Sequence, residues 1–104
     1  MKLPDKIRIG PYMYTLTLEP LDGNHGVSSF DKAYIKINPD QSPERLAGTL
    51  FHELAHQWLD IAGVKLTEKQ EEAIVVAFEH GAVMFAKDHC SLFMNIIKGM
   101  SKDG

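Results

Sequence analysis

Two changes of period organise the chain. Lys6-Ile7-Arg8-Ile9 alternates and stops at Gly10-Pro11; Tyr12-Met13-Tyr14-Thr15-Leu16-Thr17-Leu18 alternates again in aromatic and β-branched residues, the signature of strands. Period two puts Tyr12, Tyr14, Leu16 and Leu18 on one face. Glu19-Pro20-Leu21-Asp22-Gly23-Asn24 is turn chemistry. His25 to Phe30 reads as a short strand, and in the next one Ala33, Ile35 and Ile37 alternate with Tyr34, Lys36 and Asn38. Short strands joined by turns predict an antiparallel meander.

From Ser42 the period becomes helical. Ser42 is a good N-cap and Pro43 suits the first helical position, although Arg45 stands where a capping box needs Glu or Gln. Leu46, Leu50, Leu54, Trp58 and Ile61 recur at spacings of three and four and predict a helix over 43–62, closed by Gly63. His52, His56 and Leu59 fall on roughly the opposite side, so this helix is expected to be sandwiched. Thr67-Glu68-Lys69-Gln70 matches a capping box and opens a second helix over about 68–87. There Glu72, Val76, Glu79 and Val83 share a stripe from which Glu71 is turned by about 100°. A third, short helix is expected over about 90–99, with Gly99 and Ser101-Lys102-Asp103-Gly104 as a frayed end. The expected fold is one α+β domain over 1–104: a small antiparallel sheet of three to four strands (about 6–38) packed on two or three helices.

Composition narrows the function classes. With 104 residues, 44% hydrophobic and 24% charged, the chain is one ordinary globular domain. A net charge of −3 is not the footprint of a nucleic-acid binder. No window holds the roughly 20 apolar residues of a membrane span, and Met1-Lys2-Leu3-Pro4-Asp5-Lys6 lacks the apolar run of a signal peptide. No membrane partner and a cytoplasmic location are expected. The single cysteine, Cys90, excludes an internal disulfide and is expected in the core.

The chemistry lies in His52-Glu53-Leu54-Ala55-His56. On a helix, residues four apart sit about 40° apart and one turn up, so both imidazoles reach one metal ion. Glu53, turned about 100° from His52, flanks that ion as a general base must. A catalytic zinc needs a third protein ligand and an open position. Leu59 and Ala62 rule out the metzincin extension. The candidates are Glu71, Glu72, Glu79 and His80 on the second helix. Glu72 is favoured, because an inward carboxylate on an apolar stripe is costly unless paired or metal-bound. Glu79 and His80 read as groups behind the ligands or at the surface. Asp60, one turn beyond His56, either orients an imidazole or is solvated, and the spacing of His25 and His89 implicates neither. Tyr34, Tyr14, His25 and His80 are the candidates for stabilising an oxyanion.

The motif is preceded by Asn38-Pro39, Ser42-Pro43-Glu44-Arg45 and Thr49-Leu50-Phe51, and followed by Leu66-Thr67-Glu68-Lys69-Gln70-Glu71-Glu72-Ala73. In these features the chain resembles the ImmA/IrrE-type zinc metallo-endopeptidases, in particular their compact, phage-borne forms. Ile74 and Val75 stand where that family continues with Asn. SprT-like zincins are a weaker comparison, through a His80-Gly81 pair that falls mid-helix. The resemblance implies Zn²⁺ held by His52, His56 and Glu72, Glu53 as base, and a protein or peptide substrate paired with an edge strand at Tyr34, Ile35, Lys36 and Ile37. Family members often cut a repressor or regulator. The function expected is therefore zinc-dependent peptide hydrolysis. Its rival is a metal-stabilised module that blocks a protein partner without catalysis.

Overall fold

The computed structural model describes residues 3–101. Four strands come first: β1 (Lys6–Ile9), β2 (Tyr12–Leu18), β3 (Gly26–Ser29) and β4 (Tyr34–Ile37). Three helices follow: α1 (Pro43–Ala62), α2 (Glu68–Asp88) and α3 (Cys90–Ser101). The α+β class and the element order are those of the sequence reading. The third helix runs on through Gly99 to Ser101, and the rest of the expected frayed end, 102–104, lies outside the described residues.

The sheet is mixed, not an antiparallel meander. Its order is β1-β2-β4-β3, with β2 and β4 parallel in the register Leu16↔Ile35 and Leu18↔Ile37. The reason lies in the connection after β2. Residues 19–25 are too long for a two-residue hairpin, so the chain crosses the end of the sheet and descends as β3 one position away. β4 then returns between them. Asn38 Nδ2 fastens this connection by donating to the carbonyls of Leu21 (3.2 Å) and Asn24 (3.3 Å).

This topology corrects the expected substrate strand. β4, carrying Tyr34, Ile35, Lys36 and Ile37, is paired on both sides, so its backbone is closed to a peptide. The free edge beside α1 belongs to β3.

The inner sheet face gives the core. Ile9, Tyr14, Leu16, Ile35 and Ile37 are buried and pack with Leu46 and Leu54 of α1. Tyr12 and Leu18, expected on that face, are 44% and 40% exposed, because they lie at the two ends of β2 where helix cover stops. Ser42 caps α1 by accepting from the Arg45 amide, and Gly63 ends it in the left-handed region at φ 71. The Thr67–Gln70 capping box is complete in both directions.

α1 lies between the sheet and α2, as expected from its apolar stripe on one side and His52, His56 and Leu59 on the other. Its apolar stripe is corrected at Trp58, which is exposed and packs edge-on against Phe78 of α2 with centroids 5.6 Å apart. Val75 is the one buried residue of α2, and α3 has none. Cys90, expected in the core, is exposed at the start of α3, because among the described residues that helix packs on α2 alone. Among the described residues, no helix is long and apolar enough to cross a membrane.

Candidate metal centre

His52 and His56 leave α1 on the side facing α2, one helical turn apart. Across from them α2 presents Glu71, Glu72 and Glu79. His52 Nε2 lies 3.0 Å from Glu72 Oε1, and His56 Nε2 lies 3.6 Å from Glu72 Oε2. One ligand atom from each of the three residues falls within a 4.8 Å cluster. Tetrahedral ligands at about 2.0–2.1 Å from a zinc ion stand about 3.3–3.4 Å apart, so small side-chain shifts would bring the three groups onto one ion.

The far side of each ring is also engaged. His52 Nδ1 is 2.8 Å from Glu79 Oε1, and His56 Nδ1 is 2.6 Å from Glu71 Oε2. A carboxylate only accepts, so these partners take the Nδ1–H of each ring. A neutral imidazole then has a lone pair on Nε2, and both Nε2 atoms face Glu72, which also offers lone pairs. Two imidazoles with a carboxylate are a donor set zinc takes. The residues therefore fit the metal they were expected to hold.

The sequence reading placed Glu71 off the inward stripe, and the structure corrects this. The residues of α2 turned to α1 centre on Glu71, Val75 and Glu79, with Glu72 and Val76 at the margin. α2 is rotated from the expected setting, so Glu71 and Glu72 reach the two sides of His56. Two candidate roles are thereby separated: Glu72 faces both Nε2 atoms, while Glu71 and Glu79 orient the rings.

Glu53 points the other way, toward the sheet, and is 8% exposed. Its Oε1 accepts from Ser28 Oγ at 2.6 Å. Ser28 Oγ in turn accepts from Gln57 Nε2 (2.9 Å), and Gln57 Oε1 accepts from the Tyr14 hydroxyl (2.6 Å). This chain ties Glu53 to a fully buried phenol in the core. His52 and Glu53 line one cavity of about 260 Å³ together with His25, Gly26, Thr49 and Glu79. A larger groove of about 440 Å³ lies beyond Glu79, along Ser42, Arg45, Gly48, His80, Val83 and Met84. The smaller cavity brings Glu53 beside His52 on the side of Glu79, and neither His56 nor Glu72 is among its lining residues. Gly26 brings β3 against it: a Cβ at that position would lie 2.6 Å from Thr49 Cγ2 and 3.4 Å from Glu53 Cγ.

The other sequence candidates sort by position. His25 lines the cavity. His80 lines the outer groove. Tyr34 sits on the face of β4 opposite the buried Ile35 and Ile37, under the Lys36 ammonium, and so is turned away from α1. Tyr14 is enclosed in the core with Gln57. Asp60 is exposed at the far end of α1 and makes no contact with an imidazole. Of the oxyanion candidates, His25 alone shares the cavity. Ser28 and Gln57 were missed. Gln57 carried a signal, since it stands four residues after Glu53 on one inward side, and a buried amide needs a partner. Ser28 carried none.

Burial pushes the Tyr14 phenol above its ordinary value of 10.0, with the negative charge of Asp60 and ionisation of Tyr12 adding to the effect. The fold thus favours the neutral form. The associated stability is fully present below pH 10 and is lost as pH rises through the higher folded value. Urea midpoints between pH 8 and 11 should therefore fall faster for the wild type than for Tyr14→Phe, and parallel curves would contradict this.

No protein-family model, curated protein or solved structure matches the chain.

Proposed function

We propose that this protein is a zinc-dependent metallopeptidase of ImmA/IrrE-like type, with His52, His56 and Glu72 as metal ligands and Glu53 as general base. One observation carries the reading: both imidazoles of the motif turn Nε2 to a common carboxylate while separate carboxylates hold their Nδ1 atoms.

A zinc ion bound there supplies a Lewis acid that acidifies water and polarises a carbonyl. The protein's own groups do the rest. Ser28 holds Glu53 Oε1, and the other carboxylate oxygen has no hydrogen-bond partner among the described residues yet is not sealed from solvent. That oxygen takes a proton from water as the hydroxyl adds to the peptide carbonyl carbon, then returns it to the amine as the C–N bond breaks. β3 runs beside the cavity with its outer backbone edge unpaired. An extended peptide adding to that edge would pass Glu53 with its backbone fixed, in the manner of strand addition.

The reading is tested with a peptide library made by digesting a proteome, incubated with zinc-loaded protein. New termini should accumulate, stop with a chelator and resume when zinc is restored. A second reading, a metal-stabilised binding module, draws on α3, where Leu92, Met94, Ile96, Ile97 and Met100 are exposed as on partner-binding surfaces. Zinc-bound protein that generates no new termini from any library would favour the module.

A further inference from the structure

Gly48 stands inside α1, one turn before His52, where glycine is the poorest choice but proline for holding a helix. Backbone freedom does not explain it, since the positive-φ glycines are Gly10, Gly23 and Gly63. Space does. A Cβ at residue 48 would lie 3.0 Å from Glu79 Oε2, 3.6 Å from Glu79 Cγ and 3.7 Å from Glu79 Cδ. Gly81, in the middle of α2, and Gly99 in α3 have nothing within 4 Å of their Cβ positions, so among the helical glycines close approach is particular to Gly48. The carboxylate that presses on Gly48 through Oε2 meets His52 Nδ1 through Oε1 at 2.8 Å. Gly48 is buried and Glu79 is about three-quarters enclosed, so a methyl at 48 would push the carboxylate off its place, toward the open groove that both residues line.

We infer that Gly48 and Glu79 form a positioning pair that fixes the His52 ring toward the cation, with Glu71 doing the same for His56. The inference rests on the metal reading above and adds to it the residues that set affinity. The missing side chain at 48 lets α2's carboxylate lie against α1. The carboxylate holds the Nδ1–H, and Nε2 is left free and aimed at Glu72. Removing such a partner behind a ligating histidine weakens metal binding by about 10–100-fold.

The test is zinc affinity, measured by competition with a chromophoric chelator on protein stripped of metal. Glu79→Ala and Glu71→Ala should each bind about 10–100-fold more weakly than wild type with one zinc still bound at saturation. Gly48→Ala keeps every charge but displaces the carboxylate. It should bind about tenfold more weakly although its metal-free form melts at or above the wild-type temperature. Glu44→Ala removes an exposed carboxylate of the neighbouring groove, one paired with Lys87 at 2.8 Å, and should leave affinity unchanged. Wild-type affinity in both Gly48→Ala and Glu79→Ala would overturn the positioning role while leaving the metal site standing. Weakening in Glu79→Ala alone would reduce Glu79 to a charge and remove Gly48 from the device. Wild type that takes up no zinc would overturn the metal reading and this inference together.

Discussion

Glu53→Gln should retain zinc and lose about 10²–10⁴-fold in peptide cleavage, the usual worth of a positioned general base. The substitution isolates the chemistry because little else changes. Glutamine has the shape of glutamate, and its Oε1 can accept from Ser28 Oγ as Glu53 does at 2.6 Å. The side chain is almost fully enclosed, and the bond to Ser28 holds it in place. Only the ability to take a proton is removed. The measurement is initial cleavage rate on a peptide selected from the library, with zinc content determined on the same samples. A variant that holds zinc and cleaves at the wild-type rate would remove Glu53 from the mechanism. The same variant, folded and metal-bound, also serves to trap a substrate for identification.

The second large effect is on stability. Zinc at a hundredfold excess over its dissociation constant should add about 2.7 kcal/mol to the folded state. For a domain of this size that raises the melting temperature by about 10–20 °C. The fold makes such dependence reasonable. α2 contributes a single buried residue, Val75, and much of its facing stripe is carboxylate. A divalent ion among His52, His56 and Glu72 would tie α2 to α1. His56→Ala removes one ligand and leaves Glu71 without its ring partner, so the melting temperature of the variant should not respond to zinc. The comparison is a set of thermal melts of both proteins with chelator and with zinc, alongside elemental analysis. Identical wild-type melts in the two conditions, with no ion retained, would dispose of the metal centre.

The local signals in the chain were reliable where one short-range interaction decides. Ser42 and Pro43 start α1, Gly63 ends it, and Thr67 with Gln70 starts α2, because caps satisfy backbone groups within a few residues. The pairing of His52 with His56 on one side of a helix follows from the helical repeat alone. The α+β class followed from the order of the two periods.

What tertiary structure decided were the relations between elements. Alternation in β2 and β4 tells which side chains point inward but not which strand lies beside which. The parallel pairing of Leu16 with Ile35 depends on how residues 19–25 cross the sheet, and with it the identity of the free edge. The rotation of α2 is likewise set by its packing on α1, and a turn of one residue exchanges the roles of Glu71 and Glu72. Ser28 reaches Glu53 across 25 residues of sequence, a distance over which no local rule operates. The sequence by itself determined that His52 and His56 share one side of α1 and that Glu53 is turned from them. Only the packing of β3 on one side of that helix and α2 on the other decided which groups complete the site, because those neighbours are fixed by burial of a shared core and not by spacing along the chain.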